Sequence, residues 1–123
     1  MANGSIEPKG FCTDLLGSAT WSGSASSQVL PNIPLNKDPL SYRFLLIVLI
    51  VAATEQASMI FNPHFGTGTN TIYANMYIAE DSTTQGWVLI QGLNTTTPKV
   101  NSWVTTINPW YSSSKEIKIY GIR

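Results

Sequence analysis

The chain has 123 residues, which is the size of one ordinary domain. Only 11% of the residues are charged, seven basic and seven acidic, whereas an average soluble domain carries about 25%. Nucleic-acid binding requires a basic surface, which this balance does not provide, so we expect no nucleic-acid partner. Ser, Thr, Asn and Gln replace the missing charges, and a neutral polar surface of this kind suits neutral partners such as glycans.

Three further features limit the cellular compartment, the metal chemistry and the contact with a membrane. Cys12 is the only cysteine, which excludes an intrachain disulfide and a thiolate-rich metal site. The start of the chain lacks the basic and apolar regions of a signal peptide. The longest apolar run, Phe44 to Ala53, is half the length of roughly 20 residues that a membrane-spanning helix needs. We expect synthesis in the cytoplasm without an export signal, no membrane insertion, no metal and no cofactor.

Taken in chain order, the sequence begins with an irregular segment and continues as strands and turns. Residues 1–17 are mixed and contain several Gly and a Pro, which predicts an irregular N-terminal arm. Such an arm either docks onto another protein, as we expect, or is frayed; residues 18–123 form the domain. The prolines at 31, 34 and 39 argue against a helix in that stretch. After short extended pieces at Ala19–Trp21 and Gln28–Leu30, the predicted strands are Phe44–Ala53, Ala57–Phe61, Thr69–Ala79, Trp87–Gln91, Val100–Ile107 and Ile117–Ile122.

This succession predicts an all-β fold. About eight short strands, separated by Gly, Pro and Asn turns and with no convincing helix, are typical of an antiparallel β-sandwich, here jelly-roll-like. The clearest strand is Thr69–Ala79, in which Ile72, Ala74, Met76 and Ile78 share one face and the residues between them share the other.

The run Phe44 to Val51 shows no polar alternation, although one face of an antiparallel sandwich strand normally meets water. Both faces must therefore be covered. One face packs on the opposing sheet, and the other needs a further element. We expect a subunit interface in a homo-oligomer; cover by the N-terminal arm of the same chain is the alternative. The residues assigned to the interface are Leu45, Ile47, Leu49 and Val51.

Few side chains suggest catalysis. His64 is the only histidine, and the sequence nominates neither a carboxylate to orient it nor a nucleophile beside it. Glu80 and Asp81 are adjacent, so they fit a solvated turn better than two carboxylates facing across a cleft, and the spacing of a calcium loop is missing. We expect that the protein is not an enzyme and that His64 lies in a surface loop.

Aromatic side chains are the remaining candidates for a binding site. Trp87 and Trp103 lie within predicted strands, where packing in the core or across strands is the expected role. Trp110 and Tyr111 follow a proline in a Ser-rich loop, which favours exposure beside hydroxyl and amide groups. A second polar and aromatic stripe, which an ordinary solvent face would also explain, consists of Tyr73, Asn75 and Tyr77.

Three segments together resemble a known kind of domain. They are Leu15–Gly23 (LLGSATWSG), Leu40–Ile47 (LSYRFLLI) and the terminal Ile117–Arg123 (IKIYGIR). In their order, spacing and terminal position they resemble the β-sandwich domain at the C-termini of bacteriophage tail-fibre and minor structural proteins. The resemblance covers about Leu15 to Arg123.

The resemblance implies a virion-displayed module, often trimeric, that serves host attachment and catalyses no reaction. Such domains usually follow a long fibre shaft, whereas here the match begins close to Met1. A free-standing head-fibre or capsid-decoration protein, attached to other virion proteins through residues 1–17, is therefore as consistent as a tail tip. The expected location is the virion. A stand-alone carbohydrate-binding module is the alternative function, and a small hydrolase based on His64 and scattered acids is the third.

Overall fold

The computed structural model describes residues 13–22, 30–65, 72–107 and 113–123. In these ranges the chain forms seven antiparallel strands in two sheets, which confirms the prediction of an all-β sandwich. The four-stranded sheet has the order β1-β7-β2-β3 and the three-stranded sheet the order β4-β5-β6. The strands are β1 Thr13–Trp21, β2 Phe44–Val51, β3 Thr54–Phe61, β4 Tyr73–Ala79, β5 Gln85–Gln91, β6 Lys99–Thr105 and β7 Lys115–Ile122.

One core fills the space between the two sheets. Ile47 and Ile117 enter it from the four-stranded sheet, and Ile90 and Trp103 enter it from the three-stranded sheet, all with no exposed surface. Trp21 packs edge-on against Trp103, with ring centroids 5.7 Å apart. Burial of these aliphatic and aromatic side chains supplies the main driving force for folding.

The strand β2 is extended, as predicted, but its faces are the reverse of those expected. Leu45, Ile47, Leu49 and Val51 are at most 1% exposed and belong to the core of the chain itself. The assignment of these four residues to an oligomer interface is therefore wrong. The outward side chains are the alternate ones, because neighbours along a strand point to opposite faces of the sheet. They are Phe44, Leu46, Val48 and Ile50.

The turn of the hairpin between β2 and β3 consists of two alanines, and both have positive φ angles. Ala52 has φ 52° and Ala53 has φ 65°. A two-residue turn with both central residues in this region matches the twist of the flanking strands, but it normally uses Asn and Gly because a Cβ is strained there. The predicted strand Phe44–Ala53 therefore ends at Val51, and β3 begins at Thr54, three residues before the expected start.

The N-terminal boundary also differs from the prediction. β1 begins at Thr13 and pairs with β7 along its whole length, so residues 13–17 belong to the sandwich and not to an arm. A register shift between Leu15 and Gly17 interrupts the alternation of β1 and hides this strand from a pattern search. The preceding residues 1–12, which the predicted arm also includes, lie outside the described residues.

Residues 30–38, which precede a one-turn 3₁₀ helix over Pro39–Ser41, lie along one side of the sandwich. The amide of Leu35 donates to Thr96 O at 2.9 Å, and the amide of Asn36 donates to Leu16 O at 2.9 Å, so the segment joins the two sheets. Gly17 allows this approach, because a Cβ there would collide with the Pro34 carbonyl. A 3₁₀ turn over Pro39–Ser41 follows; proline suits its first position, although the prolines had argued against any helix here. No helix in the described ranges is long and apolar enough to span a membrane.

Candidate binding surface on the three-stranded sheet

The outward face of β4 carries the polar and aromatic stripe that the sequence predicts. Tyr73 is 50% exposed and Tyr77 is 56% exposed, with exposed Asn75 between them. Ala74 and Met76 point the other way into the core, so the predicted alternation is confirmed for Tyr73–Ala79. The three side chains of the stripe are therefore presented together on one surface of the sheet.

Strand pairing extends this stripe across the whole sheet. Tyr77 lies opposite Trp87, which lies opposite Val104, and these three form a row across β4, β5 and β6. Directly opposite residues have Cβ atoms about 4.5–5.5 Å apart, so neighbouring side chains in a row touch. A parallel row joins Asn75 through Leu89 to Ser102. A third row joins Tyr73 through Gln91 to Lys99. These three rows and Gln85, the first residue of β5, form a surface that we call the aromatic–amide face. It consists of Tyr73, Asn75, Tyr77, Gln85, Trp87, Leu89, Gln91, Lys99, Ser102 and Val104.

The aromatic–amide face combines flat rings with neutral hydrogen-bonding groups. The Tyr77 hydroxyl donates to the Gln85 side-chain carbonyl, which orients both groups at one edge of the face. Asn75 and Gln91 place amides beside the rings of Tyr73 and Tyr77, through the register of β4 and β5. Tyr and Trp offer rigid contact area at a low entropy cost, and amides offer adaptable donors and acceptors. Among its ten residues only Lys99 is charged.

The loop beside this face is held by its own hydrogen bonds. Asp81 accepts from the backbone amides of Thr83 at 2.8 Å and Thr84 at 2.7 Å. The Thr83 amide and hydroxyl, followed by Thr84, hold the pKa of Asp81 below its usual value. Thr106 ties the loop to the sheet edge, because its hydroxyl donates to Thr83 O at 2.7 Å and accepts from the Gln85 amide at 2.8 Å. The edge of the face next to Gln85 is therefore preorganised.

Trp87 and Trp103 were both expected to pack in the core or across strands, and each does one of the two. Trp103 is fully buried in the core. Trp87 packs across strands on the outer face, between Tyr77 and Val104, and is half-buried there. Gln85 and Gln91 lie an even number of residues from Trp87, so in a strand all three point to the same side of the sheet. This alternation was the sequence signal that could have placed Trp87 on the polar side of β5. Trp110 and Tyr111, the other predicted binding pair, lie outside the described residues.

His64 lies exposed in the turn after β3, as expected. Its Nε2 is 2.8 Å from the Tyr42 carbonyl oxygen, to which it donates in the corresponding tautomer. Its amide donates to the Asn62 side chain at 2.9 Å. Within the described ranges no group of three or more His, Cys, Asp or Glu side chains comes together to hold a metal ion.

A charged cluster joins three segments of the chain at one end of the four-stranded sheet. Asp14 Oδ2 accepts from the Tyr42 hydroxyl at 2.7 Å and from the Arg123 guanidinium, and Lys37 Nζ lies 3.9 Å away. The hydrogen bond from Tyr42 and then that from Arg123 hold the pKa of Asp14 below its usual value. Burial, followed by the hydrogen bond to Asp14, raises the pKa of the Tyr42 hydroxyl. This cluster fastens β1, the segment before β2 and the end of β7.

A buried cation that the sequence gave no reason to expect lies at the opposite end of β7. Lys115 is 1% exposed, and its Nζ lies 5.6 Å from the centroid of the Trp103 ring. This geometry is that of a cation–π contact, which partly offsets the cost of burying an ammonium group. The same burial lowers the pKa of Lys115.

Of these arrangements, the aromatic–amide face alone presents several aromatic and amide side chains together on an open surface; the Asp14 cluster and Lys115 hold parts of the fold together. Searches against protein-family models, curated proteins and solved structures found no match to this chain.

Proposed function

We propose that the protein is a non-catalytic attachment module of a bacteriophage particle that holds a neutral glycan of the host surface against its aromatic–amide face. The observation that carries the proposal is the outward-facing row of Tyr77 and Trp87, with the side-chain amides of Asn75 and Gln85 beside it. The resemblance of the three sequence segments to bacteriophage β-sandwich domains supplies the virion context.

The physical argument rests on what the face offers to a ligand. Sugar rings present apolar C–H groups on one side and hydroxyls around the rim. Aromatic rings accept the apolar side, and side-chain amides bind the hydroxyls as both donors and acceptors. A highly charged ligand finds only Lys99 as a counter-charge, so a neutral glycan suits the face better than a phosphate or a nucleic acid.

The binding experiment is a glycan array followed by calorimetry on the best ligand. Trp87→Ala removes the central ring of the row, and we expect it to weaken binding at least about tenfold, as loss of an aromatic anchor does in other interfaces. The matched control is Phe65→Ala, because Phe65 is a 70% exposed aromatic residue outside the face. No glycan on the array, or equal losses in both variants, would contradict the proposed ligand.

The stand-alone carbohydrate-binding module remains the second candidate, since the same face favours it. Mass spectrometry of purified phage particles separates the two, because only a virion component is present in them at stoichiometric amounts. Deletion of Met1–Gly10 adds a second measurement: a docking arm predicts that the shortened chain folds but no longer enters particles. Normal incorporation would contradict the arm.

A further inference from the structure

The aromatic–amide face carries its two tyrosines in separate rows. Tyr77 lies in the first row, opposite Trp87, and Tyr73 lies in the third row, opposite Gln91. Four residues along an antiparallel strand span about 13 Å, so the two tyrosines are too far apart to hold a single sugar ring between them. The Tyr77 hydroxyl donates to Gln85, which lies one row further from Tyr73, so the Tyr77 ring leans away from the third row.

Polar side chains occupy the row between the two tyrosines. Asn75 lies midway between them on β4 and is exposed, and Leu89 and Ser102 continue its row across the sheet. A β-bulge in β6 adds a second amide here, because the pairing with β5 skips Asn101 and this residue is exposed beside Ser102. Along the strands the face therefore alternates between ring, amide and ring.

We infer that the ligand of this face is a linear chain of sugar units that lies along β4 and β5, an inference that rests on the proposed function. A six-membered sugar ring with its linking oxygen is about 5 Å long, because its bonds measure about 1.5 Å. The separation of about 13 Å between Tyr73 and Tyr77 therefore corresponds to about three to four units. One unit packs on each tyrosine, and the units between them place their hydroxyls beside the Asn75 amide.

The direction along the strands follows from where the rings lie. A chain laid across the strands in the first row meets Tyr77, Trp87 and then Val104. It reaches the edge of the three-stranded sheet after about 10 Å, which is two strand spacings. Such a chain leaves Tyr73 without a contact, although half of this side chain is exposed. A chain along β4 and β5 contacts all three rings.

The charges at the two ends of this path have opposite signs. Glu80 and Asp81 are exposed carboxylates in the loop beyond the first row, and Lys99 lies at the end of the third row. A polysaccharide with the same charge on every unit is attracted at one end and repelled at the other, so it gains little from the face. A neutral chain avoids the repulsion and keeps the contacts with rings and amides.

The test is an array of neutral linear oligosaccharides of glucose, mannose, galactose and N-acetylglucosamine, each printed at one to six units. We expect the signal of a recognised series to rise up to three or four units and then to stay level, since longer chains reach no further ring. Calorimetry then compares the two-unit and four-unit members of that series. The four-unit chain should bind at least about fivefold more tightly, the gain expected of one further aromatic contact.

Two substitutions separate the two directions of the chain. Tyr73→Ala should weaken binding of the four-unit chain at least about fivefold and bring its affinity down to that of the two-unit chain. Val104→Ala should weaken the four-unit chain less than Tyr73→Ala does, because only a chain across the strands depends on Val104. Phe65→Ala, outside the face, is the control and leaves the affinity unchanged. All three side chains are exposed, and circular dichroism verifies that each variant folds.

The possible failures point to different parts of the proposal. Equal affinity for two and four units, together with a loss on Trp87→Ala, overturns the extended ligand but leaves the glycan site in place. A larger loss for Val104→Ala than for Tyr73→Ala overturns the direction along the strands. No signal from any series contradicts the proposed glycan itself, and the extended ligand fails with it. The first result keeps binding and the last abolishes it, so the two failures are distinguishable.

Discussion

On their inner sides the two sheets are alike. Ile47 and Ile117 from the four-stranded sheet meet Val88 and Ile90 from the three-stranded sheet, and all four are fully buried. On their outer sides the sheets differ. The three-stranded sheet exposes rings beside amides, as at Tyr77, whereas the four-stranded sheet exposes a row of mainly aliphatic side chains and gathers its charges at one end.

The inner and outer faces of a sandwich strand meet different requirements. Stability needs an apolar inner face, and both sheets supply it. The outer face is free to vary, so its composition reports what each sheet contacts outside the fold. An aromatic and amide surface suits a hydroxylated ligand, whereas a flat aliphatic surface suits another sheet. The proposed ligand site therefore belongs to one side of the core only, the outer side of the three-stranded sheet.

The largest expected effect contrasts two tryptophans of the three-stranded sheet. Trp103→Ala empties the centre of the core and should cost about 3–5 kcal/mol of unfolding free energy. Trp87→Ala should cost less, because part of its side chain is exposed on the outer face. Urea denaturation followed by far-ultraviolet circular dichroism measures both. Equal losses would mean that Trp87 is a core residue and the outer face is not a free surface.

A second pair applies the same contrast to neighbouring residues of β2. Ile47→Ala should cost about 2–5 kcal/mol, since the side chain is fully buried. Leu46→Ala, one residue earlier on the outer side of β2, should cost about 1 kcal/mol, in proportion to its partial burial. The measurement is chemical denaturation of both variants. A Leu46→Ala cost equal to that of Ile47→Ala would show that the outer side of β2 is covered as fully as the inner side.

These two residues also show how far the sequence alone could go. The run Phe44 to Val51 is apolar at every position, so its pattern does not show which alternate set of side chains faces the core. A shift of one residue in the pairing would move every side chain to the opposite side of the sheet. Only the packing of β2 against the other sheet decides. In β4 polar and apolar residues alternate, so the sequence alone predicted that Tyr73, Asn75 and Tyr77 face outward. In β2 no such alternation exists, and Leu45 and the three residues that share its face were therefore assigned to the wrong side.

The candidate binding surface was predictable only in part for a related reason. A strand pattern shows which residues share a face, but it does not show which strands are neighbours. Trp87 joins Tyr77 through the β4–β5 register, a tertiary fact that short-range spacing does not contain. The hairpin at Ala52 and Ala53 was missed because it lacks the Asn and Gly that mark such turns.

That hairpin provides the third prediction, which contrasts the turns of the two sheets. The β4–β5 loop is held by the Asp81 side chain, whereas the β2–β3 turn keeps two alanines at positive φ. Ala52→Asn combined with Ala53→Gly should stabilise the fold by about 1–2 kcal/mol, because Asn and Gly adopt this conformation with less strain. Thermal unfolding measures the gain. A loss of stability would mean that the alanine methyl groups make contacts worth more than the strain.

The smallest expected effect concerns acid and the two aspartates. Asp14 serves the four-stranded sheet through Tyr42 and Arg123, and Asp81 serves the β4–β5 loop through backbone amides. Both have pKa values below the roughly 3.9 of an unfolded aspartate. Each therefore adds stability that is present above about pH 4 and is lost as the pH falls through the folded-state value.

Substitution by asparagine should affect the two aspartates differently, because an amide replaces the hydrogen-bond acceptor of a carboxylate but not its charge. Asp81→Asn keeps an oxygen that accepts from Thr83 and Thr84, so its melting temperature at pH 7 should change little. Asp14→Asn removes the charge that pairs with Arg123, so its melting temperature at pH 7 should fall by a few degrees. Since protonation of Asp14 abolishes the same ion pair in the wild type, the gap between wild type and Asp14→Asn should close at acid pH. A gap that persists below pH 2 would show that the Asp14 carboxylate acts through its shape and hydrogen bonds and not through its charge.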